Sequence, residues 1–313
     1  MRNFLARLKR VGETPIVLPS DAVQWVLLLD RLAIRNSGNT GNTGSVEHSD
    51  AEQCRDLAAL ESGLGRAIKH DELRLVFQPR FDARTGRING AEALLRWQHP
   101  ELGLLAPARF ISYAEQTGVI LPLSRWVLRN ACLQIEQWEQ QGLPAMRIGV
   151  NLTPHQFSDP KLATEIVRVL DQLGIAPHRL ELEITESVLL FDPTQSRKIV
   201  ARLKKAGVRI ALDEFGIGYS SLHDLQQFAI DIVKIDRSLI CTVPHDHADS
   251  AITEAIITAA KKQHIRVVAV GVENAEQINF LRRQCCDDLQ GFFFSEPLSA
   301  QAFAALLRKN LAH

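Results

Sequence analysis

Four short β-rich runs end in acids or amides: Glu92 after Ile88–Ala91, Asn151 after Ile148–Val150, Glu183 after Leu180–Leu182, and the pair Asp213-Glu214 after Ile210–Leu212. Bringing these groups together is costly without a counter-charge, because a desolvated carboxylate must be paired or neutralised. All-oxygen donors of this kind suit a hard divalent ion, Mg²⁺ or Mn²⁺. The plain alternative pairs each acid with a surface lysine or arginine; recurrence at successive strand ends favours the ion. Lys234 lies in the otherwise apolar run Ile232–Ile235. Its ammonium can stabilise phosphate charge or hold an attacking water, or form a core ion pair with Asp236. Phe215-Gly216-Ile217-Gly218-Tyr219 follows the paired acids, and its glycines suit either a mobile loop over the site or an inert turn.

Positioning these groups needs strands that end at one place. The β-rich runs are Leu73–Gln78, Asn89–Leu95, Arg147–Asn151, Leu180–Ile184, Arg209–Leu212, Ile232–Ile235, Val267–Val270 and Leu289–Phe293. Helical periodicity fills the intervals at Leu121–Gln140, Lys161–Leu173, Gln195–Ala206, Ser250–Gln263 and Ala275–Arg283. Pro160, Pro193 and Ser299 stand where helices begin. Repeated strand–helix units predict an α/β fold, a TIM-like (β/α)₈ barrel, whose strand ends converge on one mouth. An open doubly wound sheet fits less well, since no Gly-rich nucleotide turn follows the first strand. The Thr85-Gly86 turn makes the first two strands a hairpin, so the first strand is expected to run antiparallel to its neighbour.

With 313 residues, 46% of them hydrophobic, the chain can bury one large core and carry a small appendage. Thirty-six basic residues balance 36 acidic ones, so no global field attracts nucleic acid and phosphate binding must be local. Cys54, Cys132, Cys241, Cys285 and Cys286 lack the spacing of zinc ligands. Their odd number suggests a reducing compartment, and adjacent Cys285-Cys286 reads as two ordinary buried thiols in preference to a redox pair. His245-Asp246-His247 reads as solvated surface. Neither a signal peptide nor a transmembrane run is evident, which makes the cytoplasm the expected location. Residues 37–45 form a Gly/Asn/Thr/Ser linker, so 1–49 is expected to be an N-terminal segment and 50–313 the domain, entered by a helix carrying Leu57, Leu60, Leu64 and Ile68. Arg2, Arg7, Lys9 and Arg10, interleaved with Phe4, Leu5 and Leu8, could form a basic amphipathic helix or a solvated tail.

The ordered motifs Phe77-Gln78-Pro79, Glu92-Ala93-Leu94-Leu95-Arg96-Trp97, Val150-Asn151-Leu152, Glu181-Leu182-Glu183-Ile184-Thr185-Glu186-Ser187, Asp213-Glu214-Phe215-Gly216, Lys234-Ile235-Asp236-Arg237-Ser238 and Gln290-Gly291 resemble the EAL family of cyclic di-GMP phosphodiesterases. The resemblance runs from about Leu73 to Leu307. It implies two-metal hydrolysis of cyclic di-GMP to linear pGpG. Glu92, Asn151, Glu183 and Asp213 would hold the first cation, Asp213 bridging to a second beside Glu214. Lys234 would assist the nucleophilic water, Gln78 and Arg96 would bind guanine and phosphate, and Gln290 would complete the mouth. Glu186 would anchor the Gly216–Ser221 loop, which with its neighbouring helix is the family's homodimer contact.

Two departures from that pattern fall on the chemistry. The family's paired aspartates stand here as Asp213-Glu214, and its Ala-Glu-Gly-Val-Glu run as Ala269-Val270-Gly271-Val272-Glu273. Ile217 replaces a usual threonine. A longer carboxylate and a hydrocarbon in place of an acid should leave the second metal weak or absent. Binding through Gln78, Arg96 and the loop does not need that ion. The expectation is a cyclic di-GMP receptor with weak or absent hydrolysis and an unnamed protein partner. The alternatives are a working phosphodiesterase and a protein-interaction domain that binds no nucleotide.

Overall fold

The computed structural model describes residues 60, 63–217 and 226–311. The 37–45 linker, the basic run at 2–10, the boundary at 49/50 and positions 218–221 of the loop lie outside the described residues. Of the expected entry helix, residues 60 and 63–67 are described and helical, with Leu60, Leu64 and Ala67 buried against Leu73, Leu95 and Trp97.

The strands are β1 (Leu73–Asp82), β2 (Ile88–His99), β3 (Gly103–Leu105), β4 (Arg147–Asn151), β5 (Leu180–Thr185), β6 (Arg209–Phe215), β7 (Ile232–Ile235), β8 (Arg266–Val270), β9 (Asp288–Gln290) and β10 (Leu298–Ser299). Eight of them close into a barrel in the order β1-β2-β4-β5-β6-β7-β8-β9, because β1 pairs with both β2 and β9. As expected, β1 is antiparallel, and it is so to both neighbours: Gln78 faces Glu92 on one side and Phe81 faces Leu289 on the other. The hairpin dictates this, since a turn of so few residues cannot make a parallel crossover. Asp82 Oδ1 closes it by accepting from the Thr85 and Arg84 N–H groups at 2.7 and 3.1 Å, and Gly86 takes φ 69°. The remaining barrel neighbours pair in parallel.

Helices α1 (Ile120–Gln140), α2 (Leu162–Leu173), α3 (Glu186–Phe191), α4 (Pro193–Ala206), α5 (His247–Lys262), α6 (Ala275–Arg283) and α7 (Ala300–Leu311) surround the barrel. Each buries an apolar face, such as Leu128, Ala131, Cys132 and Ile135 of α1 and Ile199, Val200 and Leu203 of α4. Local chemistry sets their ends: the Asp192 side chain accepts from the N–H groups of Thr194 and Gln195 to start α4, and Gly207, at φ 92°, ends it. The main core therefore lies between the barrel wall and these helices.

Side chains alternate along each strand, so every second residue enters the barrel. At the N-terminal end of the parallel strands this interior is charged. Arg80 donates to both oxygens of Glu181 at 2.7 and 3.0 Å, Arg147 approaches Glu181 at 3.3 Å, and Arg266 and Asn89 both donate to Asp288 Oδ1, at 2.7 and 2.6 Å. Burial opposes the Arg80 charge, but Glu181 and Asp288 more than offset it and raise the guanidinium pKa.

Two expectations need correction. The last barrel strand ends at Gln290 and does not run on to Phe293, because Gly291 packs onto the Val272 backbone, where a Cβ would come within 2.1 Å of the carbonyl oxygen. Cys285 and Cys286 are not both buried: Cys286 is, but Cys285 is exposed at φ 60°. No helix among the described residues is long and apolar enough to cross a membrane.

Candidate functional site

At the opposite end of the barrel, strand pairing places the predicted donors side by side. Asn151 lies opposite Glu183, Glu92 opposite Gly149, Thr185 opposite Asp213, and Val270 opposite Gln290. Glu92, Glu183 and Asp213 each offer a carboxylate oxygen within 4.8 Å of the others. Asn151 Nδ2 donates to Glu92 Oε1 at 2.8 Å. Gly149 makes the gathering feasible, since a Cβ there would sit 2.0 Å from Glu183 Oε1.

Lys234 is buried at the centre. Its Nζ donates to Glu92 Oε2 at 3.0 Å, to Asp213 Oδ2 at 3.2 Å, and to Glu183 Oε2. The simple ion pair with Asp236 does not form; Asp236 instead caps the short helix Arg237–Ile240 through the Ser238 N–H. One ammonium faces three carboxylates, so the cluster carries a net negative charge. Burial and then the neighbouring Glu92 charge push the Glu183 carboxyl well above its ordinary value, with Lys234 offsetting only part of this. Burial opposes ionisation of Glu92 as well, but Lys234 and hydrogen bonds from Gln290, Lys234 and Asn151 hold it below the usual carboxylate value. Burial also works against the Lys234 charge, and the Asp213, Glu183 and Glu92 charges outweigh it, raising the ammonium pKa. An excess of hard oxygen donors around a single tethered cation is a donor set that fits a divalent ion.

Gln78 and Gln290 join the cluster: Gln290 Nε2 donates to Gln78 Oε1 at 3.1 Å and to Glu92 Oε2 at 2.8 Å. Arg96 follows Glu92 and Leu94 on the same face of β2. It donates to the Leu95 carbonyl at 2.7 Å and forms no ion pair among the described residues. Burial lowers its pKa. Glu186 opens α3 directly after β5 and is partly buried, while most of the loop it was expected to anchor lies outside the described residues.

The two altered positions behave differently. A bulge in the β6–β7 pairing between Leu212 and Phe215 brings Asp213 to the cluster and leaves Glu214 exposed at φ 54°. Partial desolvation of its carboxyl, then the charges of Asp213 and Asp236, raise the Glu214 pKa. Val270 packs against the apolar interior layer of Ala211, Ile232 and Val268. Glu273, the nearest acid along the chain, is committed to Arg237 at 2.7 Å.

Sequence reasoning missed two parts of the site. A cavity of about 320 Å³ opens beside the carboxylates, lined by Leu94, Ile120, Leu123 and Val127 together with Asn151 and Thr153. It is assembled from separate elements and leaves no local pattern. Gly149 did leave a signal, as a lone glycine inside a strand marks a close approach. His245-Asp246-His247 is surface, as read: exposed His245 pairs with Glu276, and Asp246 caps α5.

A TIM-like barrel with one antiparallel strand and an acidic, amide-lined mouth defines the class of this protein. The chain belongs to the EAL domain family, whose pattern it matches over residues 62–297. It is 40% identical over 294 residues to the cyclic di-GMP phosphodiesterase NbdA of Pseudomonas aeruginosa, covering 93% of this chain and 38% of that protein. To the cyclic di-GMP phosphodiesterase PdeR of Escherichia coli it is 34% identical over 252 residues, covering 80% of this chain and 38% of that one. The chain thus spans less than half the length of the curated relatives it matches. A solved structure of the PaMucR phosphodiesterase in complex with c-di-GMP superposes with a TM-score of 0.75 at 38% identity, covering 78% of this chain and 99% of that one.

Proposed function

We propose that this chain binds cyclic di-GMP at the barrel mouth and serves as a receptor with weak or absent hydrolysis. The observation that carries this reading is Val270: it contributes hydrocarbon to the interior layer below the carboxylates, and Glu273, engaged by Arg237, does not replace the missing acid. In this reading Glu92, Asn151, Glu183 and Asp213 hold Mg²⁺ or Mn²⁺, which when bound supplies positive charge to phosphate oxygens and acidifies water. Gln78, Gln290 and Arg96 orient the nucleotide, the apolar cavity beside Asn151 receives a base, and Lys234 neutralises part of the cluster when no divalent ion is bound. Glu186 anchors the 216–221 loop, through which two copies pair in the cytoplasm; Ile217, 60% exposed, offers an apolar contact there. A further protein partner then reads the bound state.

A second reading, a working phosphodiesterase, is favoured by Glu214. Its carboxyl stands among the charges of Asp213 and Asp236, a setting that a second cation would relieve. Calorimetry with cyclic di-GMP and chromatographic detection of pGpG on one sample separate the two. The receptor reading expects saturable binding with pGpG near background in Mg²⁺ or Mn²⁺. Ordinary turnover supports the enzyme, and absence of binding overturns both.

A further inference from the structure

At the N-terminal end of the barrel, away from the carboxylate mouth, a cavity of about 470 Å³ opens between the β1–β2 turn, the end of α5, the start of β8 and the segment that follows α6. Four cations line it: Arg84, Lys261, Arg266 and Arg282. Arg84 and Lys261 are exposed and form no ion pair among the described residues. Arg282 gives Nε to the Ala83 carbonyl at 2.7 Å, which leaves the two ends of its fork. Arg266 gives Nη2 to Asp288 at 2.7 Å, while its buried Nε has no partner.

The carboxylates of the cavity answer these charges only in part: Asp82 and Asp287 attract the Arg266 charge, but no salt bridge reaches Arg84, Lys261 or Arg282 among the described residues. Asp82 accepts from Thr85 and from the Arg84 backbone, and Asp287 Oδ2 accepts the Val267 N–H at 2.9 Å. Helix dipoles account for only part of the cluster. Lys261 and Arg282 stand in the last turns of α5 and α6, where cations are favoured in any case. Arg84, on a turn, and Arg266, at a strand start, have no helix end to serve.

We propose that this cavity is a second ligand site, taking free phosphate or a phosphate monoester. Three arginines and a lysine converging from separate elements suit several oxygens of one tetrahedral dianion. Arg266 keeps Nη2 on Asp288 and has Nη1 left for the ligand. The cavity volume admits a group up to the size of a mononucleotide. The site is independent of any reading of the mouth.

Cys285 lines the same cavity and is an exposed thiol, so it reports occupancy; exposed Cys241 is not among the cavity's residues and serves as the internal control. The full chain is alkylated with N-ethylmaleimide and the rate at each cysteine read by peptide mass spectrometry, in inorganic phosphate, in GMP, and in potassium chloride of equal ionic strength. Phosphate is expected to slow Cys285 by about tenfold, through occlusion, with Cys241 unchanged. The double variant Arg84→Ala/Lys261→Ala, two exposed side chains whose loss leaves the fold intact, should lose the protection. Protection by GMP as well assigns phosphate monoesters, and protection by phosphate alone assigns the free ion. Equal Cys285 rates in phosphate and chloride, or full protection retained in the double variant, would overturn the proposal.

Discussion

Val270 and Gln290 lie opposite each other at the ends of β8 and β9, so this side of the mouth presents one methyl-bearing and one amide side chain. Glu214 adds a second cost, because a β-carbon-bearing residue at φ 54° is strained, and aspartate tolerates that region better than glutamate. Val270→Glu with Glu214→Asp restores both acids and relieves the backbone; pGpG release in Mn²⁺ should rise by at least about tenfold, whereas Val270→Ala stays at the parent's level. A double variant as inert as the parent would show that the defect lies elsewhere. Two buried thiols carry a separate expectation. Burial pushes Cys132 and Cys286 up to about 12, from an ordinary value of 9.0. Between those values the unfolded chain gives up thiol protons that the folded chain keeps, so stability falls as pH rises from 9.0 towards 12. Urea midpoints measured across that window should fall less steeply in Cys286→Ala than in the parent, while a parallel loss would remove the thiol as the cause.

Most of the elements were legible because β-rich and helical periodicities alternate with clear punctuation. Pro193 and Gly207 bracket α4, and Thr85-Gly86 closes the hairpin that turns β1 around. What escaped was whatever depends on contact between elements. Phe292 and Phe293 look like strand residues in isolation, yet the approach of Gly291 to Val272 ends β9 two or three positions earlier. The donors at Glu92, Asn151, Glu183 and Asp213 were legible as strand-end acids and amides, but the three-way grip of Lys234 was not, because alternation gives a side chain's direction and not its partners. Gly149 shows how much one strand position decides. Gly149→Ala would drive a methyl group into the Glu183 carboxylate, displacing it from the cluster. Overpacking of this kind costs about 1–3 kcal/mol. Thermal denaturation should therefore show a loss of that order, and Mn²⁺ titration should show weakened binding; unchanged Mn²⁺ affinity would mean that Glu183 is not a ligand.

Across the whole barrel, two polar layers sit at opposite ends, and the same strands supply both. Gln78 and Arg80 on β1, Glu183 and Glu181 on β5, and Gln290 and Asp288 on β9 each stand two residues apart, one in the mouth and one in the charged floor. The floor is therefore what holds the strand ends in register beneath the site. Arg80 is its hub, bidentate to Glu181 and 3.7 Å from Asp288. Truncating one partner of a buried pair leaves charge without compensation, which costs about 3–5 kcal/mol. Arg80→Met should lower the urea midpoint accordingly with the slope unchanged, and added salt should not mask the loss, because buried pairs are little screened. Arg80→Lys keeps the charge but loses the fork and should fall between the two. A cost for Arg80→Met below about 1 kcal/mol would match an exposed pair and would mean that the helices outside, and not this floor, hold the barrel closed.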